Sequence, residues 1–152
     1  FIFPYISYGN LIWGSNYKSR IQSIYKLQKR ALRVITFSNY RTSSKPLFKR
    51  LEILNVFDLT KFQLCELVYK HSNSMLPDIF CNLFMSVDSV HNYNTRSRSN
   101  KCLFLPRQNL NFGKFGVKFA GVTSWNELPT DIKTSSSHSI FKKQLKSYLL
   151  SQ

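Results

Sequence analysis

Acidic residues are scarce in this chain. Seven Asp and Glu stand against 22 Lys and Arg among 152 residues, and none precedes Glu52. That shortage excludes a self-compensated amino-terminal surface. Before Glu52 come ten cations with no acid between them: Lys18, Arg20, Lys26, Lys29, Arg30, Arg33, Arg41, Lys45, Lys49 and Arg50. From Glu52 to Val90 the balance reverses to two basic residues against five acidic, and from His91 to Asn126 six basic residues again have no acid among them. A net charge of +15 repels itself and attracts and orients a polyanion. Nucleic acid is therefore the leading expected partner and an anionic membrane surface the second.

Glycine and proline are also sparse, five of each, while 13 Phe, eight Tyr and two Trp are present. This excludes a disordered basic tail, which lacks the apolar surface to offset its ordering entropy. A chain of this length fits one domain able to bury roughly two-thirds of its unfolded surface. Three cysteines, Cys65, Cys81 and Cys102, cannot all pair within the chain and show no disulfide framework. A reducing, intracellular setting, nuclear or cytoplasmic, is expected. Phe1 to Trp13 is apolar but interrupted by Pro4, Ser7 and Asn10, and is too short to span a bilayer. With no initiator Met and no leader, the chain is expected to be cut from a longer protein.

Catalytic signatures are missing as well. Cys65 with His71, Cys81 with His91, and Cys102 with His138 lack the C-x2-C or H-x3-H spacing that closes a zinc site, so buried structural cysteines are expected. Ser135 to Ser137 beside His138 reads as a helix cap, since no G-x-S-x-G elbow accompanies it. Asp58, Asp78, Asp88 and Asp131 fall singly at caps and turns, so no carboxylate pair for two-metal chemistry exists. No catalytic residue, metal or cofactor is expected in this segment.

The apolar periodicity predicts an all-α or mainly α fold of five to seven helices with a short extended stretch near Cys102 to Leu105. The expected parts are helices over 1–40, a helical connection over 41–85, a basic polar loop or short strand region over 86–112, and C-terminal helices over 113–152. Phe3, Ile6, Leu11 and Trp13 suggest a short packing helix that frays near Gly14. Ile21, Ile24, Tyr25, Gln28, Leu32 and Ile35 form the clearest buried stripe. Pro46 suits the start of a helix over Leu47 to Leu54, and Asp58 suits the N-cap of a longer one through Tyr69. Phe115, Phe119, Val122 and Trp125 share a face, with Leu128-Pro129 as a stop. A last helix capped by Ser136 or Ser137 buries Phe141, Leu145, Tyr148 and Leu149 and exposes Lys142, Lys143 and Lys146.

Two stretches are candidate nucleic-acid contacts. Lys26, Lys29, Arg30 and Arg33 make one basic stripe; a merely solvated face normally interleaves glutamates, and none are present. The segment His91 to Lys101 interleaves Tyr93 with Arg96, Arg98 and Lys101, a mix in which a ring stacks on bases while cations hold phosphates. A flexible basic loop with Tyr93 anchored in the fold is the plain alternative.

Pro4-Tyr5, Tyr8-Gly9 and Trp13-Gly14, then Leu27-Gln28-Lys29-Arg30-Ala31-Leu32-Arg33, resemble the C-terminal part of reverse transcriptases from non-LTR (LINE-type, jockey-like) retrotransposons. Leu76-Pro77 with Phe80, Tyr93-x-Thr95-Arg96, Trp125-Asn126-x-Leu128-Pro129 with Ile132, and Phe141-Lys-x-x-Leu145-Lys with Tyr148-Leu149 follow in the same order. The resemblance runs nearly end to end and implies a segment following fingers and palm, with 1–40 acting as a thumb and the remainder as a tail. It implies RNA and DNA, as a template-primer duplex, and the missing fingers and palm as partners. The family's Ala-Asp-Asp motif is absent, so RNA-directed DNA polymerase activity and its divalent metal would belong to the missing palm. The zinc-knuckle cysteines of some relatives are absent too. The alternative is a degenerate retroelement remnant acting as a structural or protein-interaction module. Membrane-surface binding is disfavoured by an expected lack of large apolar residues beside the basic stripe.

Overall fold

The computed structural model describes residues 2–90, 93, 95 and 100–152. The fold is all-α. Eight α-helices stand among the described residues: α1 (Ile2–Ser7), α2 (Asn10–Trp13), α3 (Lys18–Ile35), α4 (Ser44–Arg50), α5 (Val56–Ser72), α6 (Val117–Asn126), α7 (Thr130–Lys133) and α8 (His138–Ser151). No strand occurs among them. The extended stretch expected near Leu103 is reduced to one antiparallel bridge, Ser86 to Leu103.

The core lies where α5, α6 and α8 meet. Cys65, Val68 and Tyr69 of α5 pack with Val122 and Trp125 of α6 and with Phe141, Leu145 and Leu149 of α8. Phe141 stacks on Tyr69 with ring centroids 4.3 Å apart, and Trp125 lies 6.0 Å from the same ring. Such aromatic contacts add to plain area burial. Burial pushes the Cys65 thiol up to about 12, so it stays a neutral core group. Cys81 is exposed and Cys102 half-buried, against the expectation that the cysteines are buried.

Helix α3 packs on α4 and α5, burying Ile21, Gln28 and Leu32. Gln28 belongs in this apolar face because its amide pairs like a strand: Nε2 donates to the Leu54 carbonyl at 2.9 Å and Oε1 accepts from Val56 N at 3.0 Å. A buried amide with both ends bonded avoids the cost of an orphaned polar group. Ile35, expected on the same stripe, is 57% exposed because it is the last residue of α3. Phe3 is likewise exposed, and the two border an apolar cleft of about 450 Å³ floored by Leu32, Leu54 and Leu59.

Several boundaries differ from the sequence reading. The first helix breaks at Gly9, whose φ of 61° is left-handed. That break and the short α7 bring the helix count above the expected range. Helix α4 begins at Ser44 and ends at Arg50, so Pro46 is its third residue, still within the first turn, and Leu54 lies beyond it. The cap of α5 is Asn55, not Asp58. Asn55 Oδ1 accepts from the amides of Phe57 and Asp58, and Asp58 in the first turn accepts from Asn55 Nδ2. Burial pushes the Asp58 carboxyl up, against the Asn55 hydrogen bond and the Lys61 charge that pull it down. The last helix forms as expected, capped by Ser137 through Ile140 N.

Glu66 ties α5 to α8. Its Oε1 lies 2.9 Å from Lys70 Nζ, 3.0 Å from His138 Nε2 and 3.7 Å from Lys142 Nζ. Burial alone raises this carboxyl, but the Lys70 hydrogen bond and the three neighbouring cations outweigh it and hold it below its ordinary 4.5. A depressed carboxyl contributes stability above its unfolded value and loses it as pH falls through the folded one. Glu66→Gln is therefore expected to cost about 1.5 kcal/mol at pH 7, with the gap to wild type closing as pH drops below 4.5. Urea unfolding at pH 7 and at pH 3 checks this; an equal gap at both pH values refutes it.

Candidate nucleic-acid interface

The stripe expected on α3 is real in three dimensions. Lys26, Lys29, Arg30 and Arg33 line one open groove of about 820 Å³ with Ser23, Leu27 and Tyr40, and no carboxylate lines it. Lys26 and Arg30 are exposed and Lys29 and Arg33 half-buried. Lys29 Nζ sits 4.5 Å above the Tyr25 ring. Arg33 Nε donates to the Thr42 carbonyl at 3.0 Å, and its guanidinium lies 5.9 Å from the Tyr40 ring centroid. A guanidinium carries five N–H groups, so anchoring one leaves the terminal nitrogens for an anion. Fixing the fork beforehand reduces the side-chain entropy lost on binding.

The loop after α3 forms one wall. Thr36 Oγ1 donates to the Leu32 carbonyl at 2.8 Å and lies 2.8 Å from Ser38 Oγ. Asn39 Oδ1 accepts from Arg41 N at 3.0 Å, and Thr42 N donates to the Asn39 carbonyl at 2.9 Å. Tyr40 was missed by sequence reasoning because helical periodicity stops at the end of α3. The available signal was an aromatic within a polar turn beside the last basic residues.

The second candidate stretch stands apart. Tyr93 and Lys101 are exposed, while Arg96 and Arg98 lie outside the described residues. Neither Tyr93 nor Lys101 lines the α3 groove. Lys101 borders a separate cleft of about 670 Å³ with His71, Asp78, Asp88 and Lys133, where two carboxylates oppose a bound phosphate. Its backbone belongs to a strap held by the Trp-Asn block. Trp125 Nε1 donates to the Lys101 carbonyl at 3.1 Å. Asn126 accepts from Leu103 N and donates to Leu103 O, both at 2.9 Å. Buried Lys133 donates to the carbonyls of Asn126 and Asn100 at 3.3 and 3.4 Å.

Among the described residues no three His, Cys, Asp or Glu side chains gather as a metal site. His71 Nε2 lies 3.0 Å from the Cys81 carbonyl, and His138 is committed to Glu66. No helix among the described residues is long and apolar enough to cross a membrane. The expectation of a bare flank beside the basic stripe is corrected: Leu27 and Val34, two turns apart on α3, are both exposed. The chain matches no family model, no curated protein and no solved structure.

Proposed function

We propose that the chain grips the sugar-phosphate backbone of a nucleic acid in the α3 groove, as the non-catalytic C-terminal segment of a non-LTR retrotransposon reverse transcriptase. The observation that carries the grip is four cations lining one groove with no carboxylate among them. Parentage rests on the sequence blocks alone. If the resemblance holds, template-primer duplex is the ligand, the fingers and palm precede this segment, and the setting is intracellular. Four cations along one helix with no carboxylate among them suit a line of phosphates.

Binding to duplex should then weaken with salt. Four neutralised phosphates give a slope of log affinity on log salt near −3.6, or about 150-fold between ~50 and ~200 mM. Each alanine replacement at Lys26, Lys29, Arg30 or Arg33 should reduce that slope by roughly 0.9. Unchanged slopes in all four variants remove α3 from the surface. For Arg33→Ala a melting curve is needed beside the titration, because the Thr42 anchor is lost with it. Parentage is tested separately, by sequencing upstream of the Phe1 codon for a frame encoding an Asp-Asp palm.

The second reading, a protein-interaction module left from a degenerate element, is favoured by Tyr5 on α1, Tyr8 in the turn after it and Ile12 on α2, each more than four-fifths exposed. An upstream frame broken by stop codons, with no salt-dependent binding, selects it.

A further inference from the structure

Helix α3 ends in an unusual way. Ser38 N donates to the Arg33 carbonyl at 2.9 Å and Phe37 N to the Val34 carbonyl at 3.2 Å, the two bonds of a helix stop whose left-handed position normally belongs to glycine. Here that position holds Phe37, with φ of 50°. A left-handed backbone strains a bulky L-residue, and the ring recovers nothing by packing, being 98% exposed. Glu52 and Ser74 occupy the same place after α4 and α5, but neither presents a large apolar group to water. Three residues on, Tyr40 is 81% exposed at the wall of the basic groove. The hydrogen bonds of Thr36, Asn39 and Thr42 hold the turn that carries both rings.

We infer that Phe37 and Tyr40 form a stacking platform for unpaired bases beside the α3 groove, so that the site also takes a single-stranded stretch adjoining the duplex, its phosphates running along Lys26, Arg30 and Arg33. This rests on the grip proposed above and adds what the bases do. The chemistry is complementary: cations in the groove meet phosphates, while Tyr40 at its wall and Phe37, exposed three residues earlier on the same turn, offer faces to the π-systems of bases. The strain at Phe37 has a use on this reading, since a ring placed for a ligand gains its contacts only when the ligand arrives.

The experiment compares a fluorescent oligothymidylate of about 12 nucleotides with an abasic oligomer carrying the same phosphates. Wild type should bind the base-bearing strand more tightly by about 5- to 150-fold per stacked base. Phe37→Gly should lower that affinity toward the abasic value and leave abasic binding and its salt slope unchanged; Tyr40→Ala should lower it too, with some loss of abasic binding because its ring also flanks Arg33, while Tyr40→Phe binds as wild type. Phe37→Gly should melt at or above the wild-type temperature, because glycine suits the left-handed position; binding lost with the fold intact cannot be ascribed to unfolding. Equal wild-type affinity for the two oligomers overturns the platform and leaves the phosphate grip standing. Binding of neither, even at low salt, overturns the grip and the platform with it. If Phe37→Gly instead loses partitioning to vesicles of phosphatidylserine and phosphatidylcholine with oligomer binding unchanged, the ring belongs to a membrane surface and the inference fails.

Discussion

Trp125→Ala should lower the unfolding free energy by about 3–5 kcal/mol, as the largest truncation at the centre of the core does. Trp125 is 3% exposed and lies among Val68, Phe84, Val122 and Phe141 in the main apolar cluster. Removing the indole leaves a void that close-packed neighbours fill only in part, so lost transfer and cavity terms add. It also orphans the Lys101 carbonyl that its Nε1 now serves. Trp125→Phe keeps most of the volume and drops only the N–H, so it should cost less than half as much. Urea unfolding of the two variants separates the contributions. A loss under 1 kcal/mol for the alanine variant, accompanied by weaker oligonucleotide binding, would show that the residue acts as a contact and not as core.

Why the Trp-Asn block belongs together follows from the same contacts. Trp125 and Asn126 reach the strap at residues 101 and 103 from adjacent positions on α6, one through an indole N–H and the other through a two-ended amide. A strand would do this with its backbone; here side chains stand in for one. Gln28 uses the same device at the start of α5. Neither role was legible in the sequence, because the partner of each amide is set by tertiary approach of a segment more than 20 residues away.

The long helices were legible for a simple reason. In α3 and α8, helices of 18 and 14 residues, apolar residues recur every three or four positions, and Ile21, Leu32, Phe141, Leu145 and Leu149 are buried accordingly. The pattern failed where it met an end. Ile35 fits the α3 stripe by spacing yet has nothing packed over it, and Asn55 and Asp58 are both good caps three residues apart, of which the earlier one starts the helix. The basic stripe was legible because all four cations sit on a single helix. Phe37 and Tyr40 were not, since only the return of the chain after α3 brings Tyr40 to the groove.

Gly14 was read from sequence as the place where a helix frays, and the structure assigns it a stricter task. Its φ of −70° suits any residue, so its requirement is for space alone. A Cβ there would stand 1.8 Å from Asn10 Oδ1, 2.3 Å from Thr60 Oγ1 and 2.6 Å from the Asn10 carbonyl oxygen. Neither side chain is a loose end: Asn10 is fully buried, and Thr60 Oγ1 lies 2.6 Å from Asn10 Oδ1 and 2.9 Å from the Val56 carbonyl. Accommodating a methyl group means prying α2 away from α5 or expelling a buried amide, and Gly14→Ala should cost about 3 kcal/mol. Gly9 supplies the opposite control. There φ is 61° but the nearest atom to an added Cβ is 3.7 Å away, so Gly9→Ala should cost only the conformational strain, about 1 kcal/mol. Replacing Asn10 by alanine in the Gly14→Ala background removes the closest obstacle and should return part of the loss, although the Asn10 carbonyl remains. If Gly14→Ala proves no worse than Gly9→Ala, or the Asn10 change returns nothing, the close approach of α2 to α5 at this glycine is not what holds the amino-terminal helices in place.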